Sequence, residues 1–269
     1  MADFQIEYRD RITGKAGLFS VRARDYYEIY SYLSGDGPFL YFIDKTLFEL
    51  RPGDVLLLRP YSLHGGCKKE RARYCRLYVR FPSHMLDFLA GIDPALYDFL
   101  QNGPERIRLS GEDAAAYRDL IAELKELQYS QSLHRYTLRL SCLLRQLTLL
   151  SRAAQQEAEL PAPPEDPLLS QIVGLINSDY ASLSTIGDIA GRLNYTPNYL
   201  AQYFFTHMGI RLHEYLITKK LSVAAASLAA GMSVTDCGIE CGFGSTAYFI
   251  QLFKAHFQMT PGQYAAQYR

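Results

Sequence analysis

The sequence predicts an α+β fold in which a strand-rich N-terminal part is followed by helices. Residues 1–110 contain short runs rich in Tyr, Phe, Ile, Leu and Val, separated by turn sequences such as GDGP, RPGD and HGG. This spacing is typical of an antiparallel barrel or sandwich. From about residue 112 the apolar residues recur at helical spacing. The N-terminal part is therefore predicted to form a β-barrel and the remainder to be helical.

The composition excludes several classes of protein. With 269 residues, of which 48% are hydrophobic, the chain can bury a core in each of two domains. The formal net charge is zero, so no overall basic excess indicates nucleic acid. The start MADFQIEYRD is polar and no uncharged apolar run is long enough to span a membrane, so we expect a cytoplasmic protein. Five cysteines without paired short spacings suggest buried reduced thiols rather than disulfides or zinc.

Changes in pattern along the chain predict four segments. Residues 1–110 form the barrel, and two leucine-rich helices joined near SQS occupy 111–158. Residues 159–167 belong to the stretch QQEAELPAPPEDP, whose prolines and acids predict a semi-rigid linker. Residues 168–269 are predicted to be a second, all-helical domain.

The helical domain contains the same pattern twice. TPNYLAQYFFTH at 196–207 aligns without a gap with STAYFIQLFKAH at 245–256. Each copy follows a short helix that opens with S/T-x-x-D, at Thr185 and at Ser233, and then a turn. Helix, tight turn and helix form a helix-turn-helix unit. LHEYLITKKLSVAAASLAAG predicts a helix that joins the two units. Such a pair can enter two successive major grooves about 34 Å apart; a duplicated helical bundle is the alternative.

The repeated units resemble a known family of regulators. IGDIAGRLNYTPNYLAQYFFTHMGIRLHEYL, the following KKL, and CGFGSTAYFIQLFKAHFQMTPGQY resemble the DNA-binding domain of the AraC/XylS family of bacterial transcription regulators. LYFIDKTLFELRPGDVLLLRPYSLHGG resembles the cupin-like sensor barrel that precedes this domain in many members. The resemblance implies a transcription activator that responds to a small molecule, binds double-stranded DNA and contacts RNA polymerase. It implies neither a cofactor nor an enzymatic activity.

The resemblance also implies which residues contact DNA, because the second helix of each unit enters the major groove in that family. Carried over by position, the base-reading residues are Asn198, Ala201, Gln202, Thr246, Ala247, Ile250 and Gln251. The phosphate-binding residues carried over are Thr196, Ser245 and Lys254. Glutamine can form a bidentate pair with adenine, and Ala or Ile can contact a thymine methyl group.

This chain departs from the family in its charge. Gln202 and Gln251 stand where many members carry Arg, and Phe205 stands where Lys or Arg is usual. Over residues 167–269, six Lys and Arg oppose five Asp and Glu, which gives 6 − 5 = +1. Because cations that neutralise phosphates supply most non-specific affinity, we expect weak, salt-sensitive DNA binding by a single domain. Loss of DNA binding is the alternative. Gly238, inside a predicted helix, is expected to loosen the second unit.

The predicted effector site lies in the barrel. Arg22 and Arg24 stand at the positions of the His-x-His pair of metal-binding cupins and share one strand face. Guanidinium groups cannot ligate a metal, so no metal is predicted. With Tyr41 and His64, the arginines suit an anion or a polyhydroxylated ligand such as a sugar. The alternative is that the arginine pair faces solvent.

The helices of residues 111–158 pair two subunits in the family, so a homodimer is expected. Packing of both helices only against their own barrel is the alternative. Two other classes of protein stay open: a cupin enzyme fused to a helical module, and a ligand-binding or interaction protein with weakened DNA reading.

Overall fold

The computed structural model describes residues 4–14, 26–36, 39–44, 46–68, 72–157, 166–208 and 210–267. The strands are β1 (Gln5–Gly14), β2 (Tyr26–Gly35), β3 (Phe39–Ile43), β4 (Thr46–Leu50), β5 (Asp54–Leu58), β6 (His64–Lys68), β7 (Ala72–Pro82) and β8 (Arg106–Arg108). The helices are α1 (Met85–Ile92), α2 (Pro94–Asn102), α3 (Gly111–Leu127), α4 (Arg135–Glu157), α5 (Pro167–Asp179), α6 (Ile186–Leu193), α7 (Pro197–Met208), α8 (Leu212–Ala229), α9 (Val234–Glu240), α10 (Thr246–Phe257) and α11 (Pro261–Ala266). A 3₁₀ turn spans Tyr180–Ser182.

The strands form two antiparallel sheets, which confirms the predicted α+β architecture with an N-terminal sheet domain. The larger sheet has the order β1-β7-β2-β5-β8, and the smaller one has the order β4-β3-β6. Side chains of both sheets form one aromatic-rich interior cluster that includes Tyr30, Phe39, Tyr41 and Tyr78. Successive residues of a strand point to opposite faces, so each sheet has a second face to cover.

Helices α3 and α4 cover the outer face of the larger sheet. The prediction of two helices in this region is correct, and the turn between them lies at the predicted SQS sequence. Leu120, Leu124, Leu143 and Leu147 are fully buried in one cluster with the sheet residues. Each such leucine contributes about 1.5–3 kcal/mol relative to an exposed position. This face of the helices therefore belongs to the core of the barrel domain. Packing of the helices against their own barrel was the alternative to dimerisation in the sequence analysis.

The assignment of residues 1–110 to strands alone is wrong, because α1 and α2 lie between β7 and β8. The carboxylate of Asp93 accepts hydrogen bonds from the amides of Ala95 and Leu96, and Pro94 occupies the first helical position. This combination is a strong helix start. Leu96 and Phe99 then face the core at helical spacing, which overrides the strand-like composition of the segment.

The C-terminal domain consists of two helix-turn-helix units, α6–α7 and α9–α10, joined by α8. Thr185 and Asp188 form a complete capping box at the start of α6, and the Ser233 hydroxyl accepts from the Asp236 amide at the start of α9. The turns are made by Asn194, with φ +59°, and by Gly242, with φ +70°. The predicted linker at 159–167 falls largely outside the described residues. No helix among the described ranges is long and apolar enough to cross a membrane.

Candidate DNA-binding surface and effector pocket

Helix α7 separates a buried face from an exposed one. Leu200 and Phe204 are fully buried in the core of the first unit. Asn198 and Gln202 are exposed on the other side of the helix, and Ala201 is half-buried at the edge between them. Phe205 is also exposed, with 42% of its surface accessible. Of the three α7 residues assigned to base reading, Asn198 and Gln202 are therefore presented to solvent.

Helix α10 repeats this arrangement. Phe249 and Phe253 are fully buried, whereas Ala247 and Gln251 are exposed. Thr246 and Ile250 are half-buried, and Ile250 packs against the core of the second unit. The structure thus leaves the two glutamines as the longest hydrogen-bonding side chains among the carried-over base readers.

The residues assigned to phosphates lie at the ends of these helices. The Thr196 hydroxyl accepts a hydrogen bond from the Tyr199 amide at 3.3 Å, and the Ser245 hydroxyl accepts from the Tyr248 amide at 3.2 Å. Each hydroxyl keeps its own proton for donation, and a helix N-terminus favours an anion. Lys254 is exposed in the last turn of α10.

An aromatic ladder on the flank of α7 was missed by the sequence reading. Tyr195, Tyr199, Tyr203 and His207 stand four residues apart, and successive ring centroids are 5.4, 5.8 and 4.0 Å apart. The Tyr203 hydroxyl donates to the carboxylate of Asp166 at 2.6 Å; burial and this carboxylate raise the pKa of Tyr203. The ladder fixes α7 against the start of α5, and the i, i+4 spacing of aromatic residues was the signal that could have revealed it.

Lys220 is a structural residue, although it was counted among the cations of the domain. Only 2% of its surface is accessible, and its Nζ donates to the carbonyl of Gly242 at 2.6 Å. Burial lowers the pKa of Lys220. Without Lys220 the count for residues 167–269 becomes 5 − 5 = 0. Arg192 is moreover paired with Asp179 at 2.9 Å, so few cations of the domain are available to phosphates.

Lys220→Met is expected to destabilise the C-terminal domain by about 1–3 kcal/mol, because the Gly242 carbonyl loses its donor. The salt dependence of DNA binding should stay unchanged, since a buried cation neutralises no phosphate. Urea unfolding and binding titrations at several salt concentrations measure the two effects. A reduced salt slope would contradict the structural assignment.

Gly238 has a packing role that the sequence did not reveal. A Cβ atom at this position would lie 3.2 Å from a ring carbon of Phe249. The glycine therefore lets α9 approach the recognition helix of its own unit closely, which the expectation of a looser unit did not take into account.

A polar, aromatic pocket of about 180 Å³ opens between the two sheets. Tyr74, Arg76, Tyr78 and Arg80 occupy alternate positions of β7 and all line it. Its other lining residues are Tyr26, Glu28, Tyr30, Phe39, Tyr41, His64, Gly65 and Gly66. Charged and hydroxyl groups at this density in a barrel interior indicate a site for a polar ligand.

The two arginines of β7 both lie close to the ring of one tyrosine. The guanidinium carbons of Arg76 and Arg80 lie 4.0 and 4.6 Å from the ring centroid of Tyr78. Arg80 also pairs with Glu28 at 2.5 Å. Burial lowers the pKa of Arg76. For Arg80, burial acts in the same direction, but Glu28, Tyr26 and Glu7 together raise the pKa.

Two polar atoms of this wall are buried and have no hydrogen-bond partner among the described residues. They are the Tyr30 hydroxyl and the Nε of Arg76. A buried polar atom without a partner costs about 1–3 kcal/mol, and native proteins hold few of them. Both residues line the pocket.

Tyr41 and His64, which were assigned to the effector site from the sequence, both line this pocket, and their ring centroids lie 6.4 Å apart. Arg22 and Arg24 lie outside the described residues. The sequence reading missed Arg76 and Arg80, although the alternation in RYCRLYVR, with polar and aromatic residues at every second position, carried the signal. The described residues contain no group of three or more His, Cys, Asp or Glu that could hold a metal ion.

A sheet domain with a polar interior pocket, followed by two linked helix-turn-helix units, defines a ligand-binding domain joined to a helix-turn-helix domain. Comparison with family models agrees: residues 16–162 match the AraC-like ligand binding domain, and residues 189–267 match a helix-turn-helix domain. Because the first match alone covers more than half of the chain, the protein belongs to the AraC family of transcriptional regulators.

Individual relatives are distant. An uncharacterized HTH-type transcriptional regulator of Escherichia coli, YpdC, is 31% identical over 108 residues, which are 40% of this chain; the match spans only 38% of that protein. The HTH-type transcriptional activator RhaS of Klebsiella pneumoniae is 22% identical over 90% of this chain and 86% of its own length. Among solved structures, ToxT of Vibrio cholerae covers 99% of this chain and 98% of its own, at 15% identity and a TM-score of 0.42.

Proposed function

We propose that this protein is a sequence-specific, DNA-binding transcription activator controlled by a small molecule. The observation that carries the proposal is the pair of exposed faces on α7 and α10, with Gln202 and Gln251 at matching positions, joined by the continuous helix α8. Two recognition helices on one rigid connector suit two successive major grooves. The domain boundaries proposed from the sequence, with a linker at 159–167, accompany this function.

Selection of bound fragments from a random duplex library by the full-length protein tests the proposal. We expect one enriched motif with two blocks about one helical turn apart. The selection is run at low salt and again at physiological salt, because salt weakens phosphate contacts and a domain with few available cations starts from a low non-specific affinity. Failure to enrich any motif at either salt would contradict DNA reading and favour a ligand-binding or interaction protein.

Phe205→Lys is expected to strengthen binding to the selected duplex. Phe205 is exposed on α7, and the equivalent position of the second unit is Lys254. One added phosphate contact should steepen the slope of log K against log salt by about 0.9. Titrations at several salt concentrations measure it, with Phe88→Lys, an exposed aromatic of α1 in the barrel domain, as a matched control. An unchanged slope in Phe205→Lys would place position 205 away from the DNA backbone.

The effector proposed for the pocket is an anionic or polyhydroxylated small molecule. Arg76 can fork a carboxylate or a sugar hydroxyl pair, and the tyrosine rings offer stacking faces. A thermal-shift screen of monosaccharides and small carboxylates identifies binders. We expect the shift of a true effector to be lost in Arg76→Gln and kept in the control Arg118→Gln, whose side chain lies outside this pocket. A shift that survives Arg76→Gln would exclude the pocket.

A homodimer is proposed because apolar side chains remain exposed around the start of α4. Leu133 is 89% accessible and Tyr129 is 74% accessible, with Tyr136 and Leu138 beside them. Exposed apolar clusters of this kind mark interaction sites. Sedimentation equilibrium should show a dimer that Leu133→Glu weakens; a monomer at all concentrations would contradict the proposal.

Three further assignments complete the proposed function. The absence of enzymatic activity follows from the regulator family rather than from the site itself. Contact with RNA polymerase and a cytoplasmic location are the properties that an activator of this class requires. A cupin enzyme is the competing function, and a stoichiometric bound metal in the purified protein would favour it.

A further inference from the structure

The barrel and the DNA-binding domain are joined by two loops, β3–β4 and β5–β6, that pack on the connecting helix α8. The hydroxyl of Tyr215 donates to the carbonyl of Asp44 at 2.5 Å, and the hydroxyl of Ser222 donates to the carbonyl of Tyr61 at 2.5 Å. Tyr215 and Ser222 are 0% and 2% accessible. Both donors therefore lie buried on α8, and both acceptors lie on the barrel.

The same loops reach the cores of both helix-turn-helix units. Phe42 and Leu63 are fully buried in the core cluster of the first unit. Tyr61, two residues before Leu63, packs against the core cluster of the second unit, and its hydroxyl lies 3.3 Å from that of Tyr264. A segment of three residues in the barrel thus contacts both units and fixes one against the other.

The strands that carry these loops also form the wall of the effector pocket. Tyr41 lines the pocket, and Phe42, the next residue of β3, enters the core of the first unit. His64 lines the pocket, and Leu63, the residue before it, enters the same core. Because successive residues of a strand project to opposite faces, the pocket and the docking contact are two sides of one thin layer.

A short chain of packed rings leads from this layer to the first recognition helix. The ring of Phe42 lies 6.0 Å from that of Tyr215, which lies 5.3 Å from that of Phe204 in α7. Phe204 forms the buried side of the helix that exposes Asn198 and Gln202. Close-packed interiors transmit small displacements, so a shift of Phe42 reaches α7 through two contacts.

The two docking loops also have unusual backbone conformations. Asp44 and Tyr61 have φ values of +46° and +63°. The other non-glycine residues with positive φ in the described ranges, Asn194 and Gln258, are helix C-caps, where such values are common. A left-handed conformation is unfavourable for a bulky residue such as tyrosine and persists only where its surroundings hold it. Reciprocal bonds between Asp44 and Leu63, at 2.6 and 2.9 Å, provide part of that support.

We propose that Asp44 and Tyr61 transmit the occupancy of the pocket to the DNA-binding domain, by setting the placement of one helix-turn-helix unit relative to the other. This inference rests on the proposed function of the pocket and deepens it. The docked barrel leaves Gln202 and Gln251 exposed. Docking therefore acts on the geometry of the pair of units and does not cover the DNA-binding surface.

The first test separates the barrel from α8 with the conservative double variant Tyr215→Phe/Ser222→Ala in the full chain. The control is Tyr180→Phe/Ser227→Ala, which changes the same residue types in the 3₁₀ turn before α6 and in α8, away from the docking bonds. Binding is measured to the duplex selected by the wild type and to duplexes with either block scrambled. We expect the docking variant to lose at least about fivefold affinity for the two-block duplex, because the second block is no longer held in place. Its affinity for one-block duplexes should match that of the control.

The second test uses the pocket wall and needs no DNA. A Cβ atom at Gly66 would lie 2.6 Å from the ring of Phe39 and 3.0 Å from that of Tyr41, so Gly66→Ala displaces the pocket side of β3. Differential scanning calorimetry of the wild type should show the two domains unfolding together, and Gly66→Ala should lower that common transition. In the Tyr215→Phe/Ser222→Ala background the transitions should separate, and Gly66→Ala should lower only the barrel transition. Gly91→Ala, where a Cβ meets no atom within 4 Å, is the control; Tyr41→Phe replaces Gly66→Ala if that variant does not fold.

The outcomes distinguish the inference from the proposed function. Equal effects on one-block and two-block duplexes, or an unchanged two-block affinity, would overturn transmission through the docking loops. Independent unfolding of the two domains in the wild type would overturn it without any DNA. If the wild type binds no duplex while the calorimetric coupling is present, the proposed DNA reading fails and the mechanical link between pocket and C-terminal domain stands.

Discussion

Asp54→Ala is expected to destabilise the barrel by about 3 kcal/mol or more. Asp54 is fully buried at the start of β5, and its carboxylate accepts from both Nε and Nη2 of Arg108, at 2.7 and 2.9 Å. It also accepts from the Arg51 amide at 2.8 Å, which closes the turn before β5. Removing one partner of a buried ion pair costs about 3–5 kcal/mol. The side chain of Arg108 is 37% exposed and can regain water, so the lower end of that range applies.

Urea unfolding of the full chain measures this effect, with Glu123→Ala as the matched control. Glu123 pairs with Arg145 at 2.7 Å, but both side chains are at least 40% exposed. An exposed pair contributes about 0–1 kcal/mol. Equal losses in the two variants would show that burial of Asp54 does not determine its contribution.

Helix starts and turns could be predicted from the sequence because the interactions that form them involve neighbouring residues. The helix starts at Thr185 and Ser233, the turn that follows each short helix and the helix that joins the two units were placed correctly. Each depends on hydrogen bonds within a few residues or on a backbone angle that few residue types adopt. Helices α1 and α2 were missed because their apolar faces resemble strands in composition, and only contact with the sheet decides between the two.

Some residues of the candidate sites could be predicted from the sequence, whereas others depend on tertiary contacts. The positions of α7 and α10 assigned to base reading came from the family resemblance, which was carried over by position. The role of Lys220 did not follow, because the Gly242 carbonyl that it meets is brought to α8 only by the tertiary fold. The pocket arginines Arg76 and Arg80 were visible as an alternation in β7, but which face of that strand lines a cavity depends on the second sheet. Asp44 and Tyr61 carried no sequence signal, since their importance lies in what packs against them.

Gln202→Ala and Gln251→Ala are expected to cause the largest losses of sequence specificity. Each glutamine is exposed on its recognition helix and can form a bidentate pair with adenine, which is worth about 1–3 kcal/mol of discrimination. Each single variant should therefore lose roughly five- to 150-fold preference at one base pair. Binding to a panel of single-base variants of the selected duplex measures it. The control is Gln171→Ala, an exposed glutamine of α5 outside both recognition helices.

The distribution of these losses over the two blocks of the duplex shows whether both units read DNA. If each unit reads its own groove, Gln202→Ala lowers the base preference in one block and Gln251→Ala lowers it in the other. The free-energy losses of the two single variants should then add in the double variant, because widely separated sites act independently. Losses confined to one block would mean that a single unit reads DNA and the other only supports it. Gln202 also donates to the Thr206 hydroxyl at 3.4 Å, a long bond that a base edge can replace. Losses smaller than additive would instead indicate that the units compete for one preferred placement, which is the property that contact between the barrel and α8 would control.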